Sequence, residues 1–326
     1  MKTPRFWYPP HNDLAASMLS GLLSPFSYMF KAGTSLRRSF SHPYHSHKPV
    51  VCVGNVVAGG AGKTPTALAL ARILKSKGHR PVFVTRGYGG HEKLVCVDPI
   101  QHNADHVGDE ALLLATSGPT WVSSNRPAAV RQAENNGTVI IMDDGLQNPT
   151  IKPTTGILVI DGEVGIGNGR IIPAGPLRES FADALNRVSA VIIIGDKDRQ
   201  NLATKIEKKP VFRARLQPIL SASFPRNSKF VAFAGIARPQ KFYTTARALG
   251  LDIVATQDFP DHHPFTLADL DSLRLTAEEH GALLLTTEKD AVRLPPDFRN
   301  DVVILPVTLV FDDPDAEARL ARLCFT

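Results

Sequence analysis

GNVVAGGAGKT, residues Gly54 to Thr64, is the stretch on which the fold reading turns. An apolar run, VVCV (Val50 to Val53), precedes it, and a helical stretch, Thr64 to Lys77, follows. A short β-branched run, a glycine-rich turn and a helix, in that order, describe a parallel strand feeding its crossover helix. Pro65 falls in the first helical turn, where a missing N–H leaves no bond unmade, and Gly78 lies just past the predicted end. A turn of this kind presents backbone N–H groups and the positive end of a helix dipole to an anion. In that geometry Lys63 reaches the β and γ phosphates of a nucleotide, the Thr64 hydroxyl ligates Mg²⁺, and Gly59, Gly60, Ala61, Gly62 and Pro65 shape the cradle. The strict G-x-x-x-x-G-K-[ST] pattern asks for glycine at position 57, where this chain has Val57.

Outward from this loop, short apolar strands alternate with helical stretches. Strands are predicted near Val82 to Thr85, Leu94 to Val97, Thr138 to Met142, Ile157 to Ile160 and Ala190 to Ile194, with helices over about Asp109 to Thr116 and Pro127 to Asn135. This is the pattern of an α/β domain of the P-loop NTPase kind, a largely parallel sheet flanked by helices. A polar stretch, Asn201 to Asn227, precedes a second series with strands at Phe230 to Ala234, near Ile253 and at Ala282 to Thr286, and helices at Gln240 to Leu249 and Leu267 to His280. The expected division is therefore an N-terminal helix and basic linker over 1–48, a nucleotide-binding domain over 49–215, and a smaller α/β lobe over 216–326.

VIIMDD (Val139 to Asp144) supplies the second half of a nucleotide site: an acid at the tip of a parallel strand can hold Mg²⁺ beside the first loop, which makes Asp143 and Asp144 metal candidates. Neither GDKDR (Gly195 to Arg199) nor TEKD (Thr287 to Asp290) fits the [NT]-K-x-D guanine reader, so ATP is the expected nucleotide.

The formal net charge is +6, and residues 1 to 48 hold Lys2, Arg5, Lys31, Arg37, Arg38 and Lys48 against Asp13 alone. The rest of the chain is nearly neutral, which argues against a nucleic-acid partner, where basic residues would stripe the folded domain. Leu14 to Phe30 is uncharged, with Trp7 and Tyr8 before it and Lys31 after it. A spanning helix needs roughly 20 apolar residues, and this run includes four serines, Gly21 and Pro25. The reading is a helix lying in the interface of an anionic membrane surface, not one crossing it. Cys52, Cys96 and Cys324 have no zinc spacing, and Cys52 and Cys96, each in an apolar run, are expected to be buried core thiols.

The ordered set GNVVAGGAGKTP, TRGYGG (Thr85 to Gly90), VGDEALLL (Val107 to Leu114), MDDGLQN (Met142 to Asn148), PAGPLRE (Pro173 to Glu179) and FPDHHPF (Phe259 to Phe265) resembles the tetraacyldisaccharide 4'-kinases of lipid A biosynthesis, over most of the chain. The resemblance implies transfer of the γ-phosphate of ATP to the 4'-hydroxyl of a tetraacyldisaccharide 1-phosphate, at the cytoplasmic face of the bacterial inner membrane. It also implies that Asp109 in VGDE and His262 in PDHH activate the acceptor hydroxyl, that Arg178 meets the substrate, and that Glu179 is a further metal partner. Leu146 and Asn148 stand where that family usually has Phe and His. The rival reading is a membrane-attached P-loop switch ATPase, which would leave VGDE and PDHH without a purpose.

Overall fold

The computed structural model describes residues 4–9 and 13–325; Lys2, counted above in the basic N-terminus, lies outside them. Its strands are β1 (Val50–Gly54), β2 (Pro81–Thr85), β3 (Leu94–Cys96), β4 (Thr120–Ser123), β5 (Val139–Asp143), β6 (Thr155–Asp161), β7 (Ala190–Ile194), β8 (Val211–Pro218), β9 (Lys229–Ala234), β10 (Asp252–Asp258), β11 (Leu283–Thr287), β12 (Val302–Leu305) and β13 (Val307–Phe311).

A nine-stranded sheet has the order β13-β8-β7-β6-β1-β5-β2-β4-β3. All its neighbours run parallel except β13 with β8 and β3 with β4, which close the two edges antiparallel. Strand alternation splits the core in two. Val51 and Val53 of β1 face a layer containing Leu70 and Leu74 of the Lys63–Ser76 helix and Leu320 of the Ala316–Leu323 helix. Val50 and Cys52 face the other layer, with Ala129 and Val130 of the Arg126–Glu134 helix and Ala184 of the Phe181–Arg187 helix. Both faces are thus covered, which is why the central strands read as continuous apolar runs. The chain works outward from β1 in both directions, so the ends of β5, β1 and β6 form a topological switch point where ligands of open α/β sheets bind.

A second, four-stranded sheet, β10-β9-β11-β12, is parallel throughout. The expected division at residue 215 needs correction. It cuts β8, a strand of the large sheet, and residues 307–323 do not stay with the second lobe: β13 pairs with β8, and the last helix packs on the first core layer. Pairing Leu309 with Leu216 and Phe311 with Ala214 buries apolar surface that β8 alone would leave at a sheet edge.

The N-terminal helix is longer than its uncharged run, spanning Leu14–Ser39, with the Asp13 side chain accepting from Ala16 N–H and Pro25 inside it. Its orientation inverts the usual rule. Small and polar residues, Ala16, Ser20 and Ser27, are buried against the body, while Leu14, Met18, Leu22, Phe26, Met29 and Phe30 are exposed. Among the described residues, no helix is long and apolar enough to cross a membrane. Cys52 is buried as expected, but Cys96 is exposed: β3 is a three-residue edge strand whose outward positions no layer covers.

Candidate functional site

Gly54 ends β1, and its backbone passes so close to Leu146 that a Cβ would sit 2.7 Å from Leu146 Cγ. The following loop is zipped to the PAGPLRE segment. Ala58 N–H donates to Pro176 O (2.9 Å), Arg178 N–H donates to Val56 O (2.7 Å), and Val57 forms an antiparallel bridge with Leu177. This pairing needs extended backbone at position 57, which a β-branched residue favours, and so accounts for Val57 where the stricter pattern has glycine. Gly62 caps the Lys63–Ser76 helix at φ +86°, and a Cβ there would lie 2.6 Å from Ile194 Cδ1. Glycine is required at that position on both counts.

At the helix start, Thr64 Oγ1 donates to Asp143 Oδ2 (2.9 Å), and Lys63 Nζ lies 3.8 Å from Asp144 Oδ1. Asp143 is fully buried, and burial raises its pKa, reinforced by the charges of Glu110 and Asp144 against the opposing pull of Lys63. Its Oδ1 has no hydrogen-bond partner. A buried, orphaned carboxylate oxygen beside a threonine hydroxyl, in a pocket with excess negative charge, fits a divalent cation of the nucleotide-bound kind, which takes one or two carboxylates and completes its shell from phosphates and water. Asp144 is held by Arg178, whose guanidinium lies 3.1 and 3.2 Å from its two oxygens. Buried Arg126 adds its charge to the field at both acids.

Glu179, expected as a further metal partner, has both of its oxygens engaged by other side chains. One of its oxygens accepts from Gln147 Nε2 (2.9 Å), and the other faces Arg187 and, at 3.5 Å, Arg38 of the N-terminal helix. Two cations and an amide thus engage both oxygens. Lys63, Thr64, Asp143, Asp144 and Arg178 share one cluster; Glu179 ties that cluster's loop to the N-terminal helix.

The second cluster joins the two sheets. Asp109 opens the Asp109–Ala115 helix of the large lobe and is 3% exposed. His262 Nδ1, from the loop after β10, lies 2.9 Å from its Oδ2. Lys289 Nζ and Arg293 Nε each approach the same oxygen at 3.8 Å, and Lys289 Nζ is 3.3 Å from His262 Nε2. Burial pushes the Asp109 pKa up, but the His262 contact and the charges of Lys289 and Arg293 outweigh it and hold the carboxyl below its usual value. The Asp109 contact in turn raises the His262 pKa. His263 does not point into this cluster; its ring faces Asp269 at 2.9 Å. Neighbouring Glu110 is one of the charges acting on Asp143, so the two clusters border one crevice.

Lys289 and Arg293 are absent from the sequence reading, which weighed TEKD only as a guanine reader. The available signal was a Lys and an Arg four residues apart, on one side of a helical turn directly after a parallel strand. Backbone conformation marks the site independently. Asp144 and His262 are two of the three non-glycine residues with φ in the left-handed region among those described, at +54° and +60°. Such strain persists only where the surroundings impose it.

The family model described as Tetraacyldisaccharide-1-P 4'-kinase matches residues 19–324. Tetraacyldisaccharide 4'-kinase of Rhodospirillum centenum is 46% identical over 323 residues, covering 98% of this chain and 96% of that protein. The protein of the same name from Methylobacterium nodulans is 47% identical over 330 residues, covering 99% of this chain and 96% of that protein. Among solved structures, LpxK from Aquifex aeolicus in complex with ATP superposes with a TM-score of 0.75 over 95% of this chain and 100% of that one, at 24% identity, a likeness of fold.

Proposed function

The chain belongs to the tetraacyldisaccharide-1-P 4'-kinase family, and from that membership we propose how its residues divide the reaction. It is an ATP-dependent kinase of lipid A biosynthesis that phosphorylates the 4'-hydroxyl of a tetraacyldisaccharide 1-phosphate. A switch ATPase is not favoured.

In this reading the loop Gly59, Gly60, Ala61, Gly62 is a P-loop that, with the first turn through Pro65, wraps the ATP phosphates in backbone N–H groups. Lys63 lies along the β and γ phosphates, and Thr64 with Asp143 holds Mg²⁺, with Asp144 alongside. Mg²⁺, when bound there, neutralises charge developing on the β and γ oxygens. Arg178, anchored on Asp144, faces the transferred group as a second positive charge.

Asp109 accepts the proton of the acceptor's 4'-hydroxyl as the new O–Pγ bond forms and the bond from Pγ to the β,γ-bridging oxygen breaks. His262 orients the carboxylate and shares the proton, while Lys289 and Arg293 keep Asp109 ionised before transfer. The observation that carries this reading is the 2.9 Å Asp109–His262 contact between lobes, at the mouth of the glycine-rich loop's crevice.

The N-terminal helix then serves attachment. Its exposed apolar residues and the basic charges around them suit an anionic membrane surface at the cytoplasmic face of the inner membrane, with the helix lying in the interface. The acceptor's acyl chains stay in the bilayer while its sugar enters the crevice.

The test is transfer of labelled γ-phosphate from MgATP to tetraacyldisaccharide 1-phosphate in detergent, comparing wild type with Asp109→Ala. Labelled lipid from wild type, with loss of labelling and retained ATP binding in the variant, supports the division. An undiminished rate in Asp109→Ala rejects Asp109 as the base.

A further inference from the structure

A recess of about 450 Å³ lies between the N-terminal helix and residues 170–174, lined by Ser24, Ser27, Tyr28, Lys31, Arg170 and Ala174. We infer that it is a binding site for the phosphate of an anionic phospholipid headgroup in the surrounding leaflet, an inference that rests on the membrane attachment proposed above.

The chemistry of the lining points there. Arg170 Nη1 donates to Ser24 Oγ (2.7 Å), and none of the ion pairs among the described residues engages its guanidinium. The hydroxyl fixes the planar fork at the rim and leaves its other N–H groups facing outward, the arrangement that takes phosphate oxygens two at a time. Lys31 adds a second cation. Its partner is Asp183 at 3.3 Å, with both side chains about half exposed, and a pair of that kind is weak enough to share.

The recess is also at the right level. Leu22, Phe26, Met29 and Phe30 project from the same helix into solvent, and Tyr28 at the recess is exposed as tyrosines of membrane interfaces are. Apolar side chains on one flank and, on the other, a recess with Arg170, unpaired among the described residues, and the shared Lys31 match the acyl and headgroup layers of one leaflet.

The acceptor's own 1-phosphate is a poorer occupant. The recess runs along the helix from Ser24 to Lys31, 14 and 7 residues before Arg38, the helix residue that reaches Glu179, so its ends lie about 21 Å and about 10 Å from that contact, with Arg170 bonded at the far end. A disaccharide held at the crevice does not span the length to Arg170.

The experiment uses the full chain and phosphatidylcholine vesicles with or without phosphatidylglycerol, read by co-flotation. Arg170→Gln is expected to weaken binding to phosphatidylglycerol vesicles about fivefold. Arg247→Gln, which removes an exposed charge from the small lobe, should leave binding within twofold of wild type, and Arg170→Lys should recover only part of the loss. Ser24→Ala keeps every charge but frees the guanidinium, and should give an intermediate loss with an unchanged thermal melt; this variant decides the matter if Arg170→Gln proves unstable. Label transfer in detergent free of phospholipid should be the same for Arg170→Gln and wild type. Three results overturn the inference: equal losses in Arg170→Gln and Arg247→Gln, which mean diffuse charge attraction; unchanged flotation with a raised KM for the acceptor, which assigns the recess to the acceptor's phosphate; or displacement by millimolar inorganic phosphate, which makes the ligand a free anion. Failure of the kinase reading would show separately, as absent label transfer by wild type with vesicle binding intact.

Discussion

At the scale of single residues, the Asp109–His262 pair makes the sharpest demands. Asp109→Asn removes the proposed proton acceptor without changing its size, so kcat should fall by ~10²–10⁴ while ATP affinity holds. The same change reports on electrostatics. In the wild type the Asp109 contact raises His262 above its ordinary 6.5; without it, burial and Lys289 are opposed only by Asp261, and the imidazole should titrate lower than in the wild type. A histidine NMR titration reads both values, and an unchanged midpoint would contradict the geometry. The raised His262 contributes stability that is complete below 6.5 and lost as pH rises through its folded value. The lowered Asp109 contributes stability present above 3.8 and lost as pH falls through its own. The stability deficit of the variant should therefore be largest between 3.8 and 6.5. A second residue, Asp290, is fully buried, accepts from Gly235 N–H at 2.9 Å and pairs with Arg293, whose side chain is 5% exposed. Asp290→Ala removes the nearer of that cation's two carboxylates, leaving Asp109 at 3.8 Å, and strips Gly235 N–H of its acceptor, and should cost about 3 kcal/mol in urea unfolding, with Asp290→Asn costing less. The clustering of Lys63, Thr64, Asp143 and Asp144 was legible because chain proximity and strand tips bring them together locally. Lys289 and Arg293 were not, because nothing near them in sequence says that they converge on a carboxylate more than 170 residues earlier; only the packing of two lobes does. The partners of Glu179 were not legible for the same reason, since Arg38 and Arg187, which contact it, are distant or unremarkable in the chain.

At the scale of elements, the loop and the N-terminal helix show what periodicity can and cannot deliver. The Val50-to-Lys77 unit was readable because glycine, lysine and proline positions each carry a local backbone reason. The extent of the N-terminal helix was not, because its charged last turns were taken for linker; Arg37 and Arg38 in fact complement the negative end of the helix dipole. Its facing was hidden too, since a serine side docked on protein looks like the solvent side of an ordinary helix. Ser20 illustrates the docking: it is buried and accepts from Asn168 Nδ2 (3.0 Å), and four residues on Ser24 meets Arg170. Ser20→Leu should therefore destabilise despite raising helix propensity, by about 1–3 kcal/mol from overpacking and the lost Asn168 acceptor. Leu22→Ser on the exposed side should leave the melting temperature unchanged and weaken vesicle binding. If Ser20→Leu melts like the wild type, the helix does not dock by that face.

At the scale of the whole molecule, the two sheets were foreseeable as two α/β series, but the return of residues 307–323 to the first sheet was not. A final strand and helix look alike whichever sheet they extend, and β13 is chosen by the open edge of β8 and by the apolar layer that Leu320 completes. That return means the chain crosses between lobes twice, which restrains the small lobe without fixing it. Two further contacts bracket the crevice. On one side Val292 of the small lobe packs with Val107, Ala111 and Leu112 beneath the Asp109 cluster. On the other, Arg238, just before the Pro239–Ala248 helix, pairs with Asp161 at the tip of β6, a carboxylate 8% exposed on its side chain. The apolar contact is non-directional and tolerates rotation, whereas the ion pair holds only in the observed relative orientation. Arg238→Ala should thus leave each lobe folded but widen the distribution of lobe angles. Because Arg238 is substantially exposed, the stability loss should be about 1 kcal/mol or less, too small to account for a functional defect by unfolding. Inter-lobe distances from paired spin labels should broaden in the variant and narrow again with MgATP, and kcat should fall with little change in ATP affinity, since the loop proposed to hold ATP lies wholly in the large lobe while His262, Lys289 and Arg293 arrive with the small one. Distance distributions indistinguishable from the wild type would mean that the chain crossings and the Val292 contact suffice to fix the crevice, and that Asp161–Arg238 is only a surface pair.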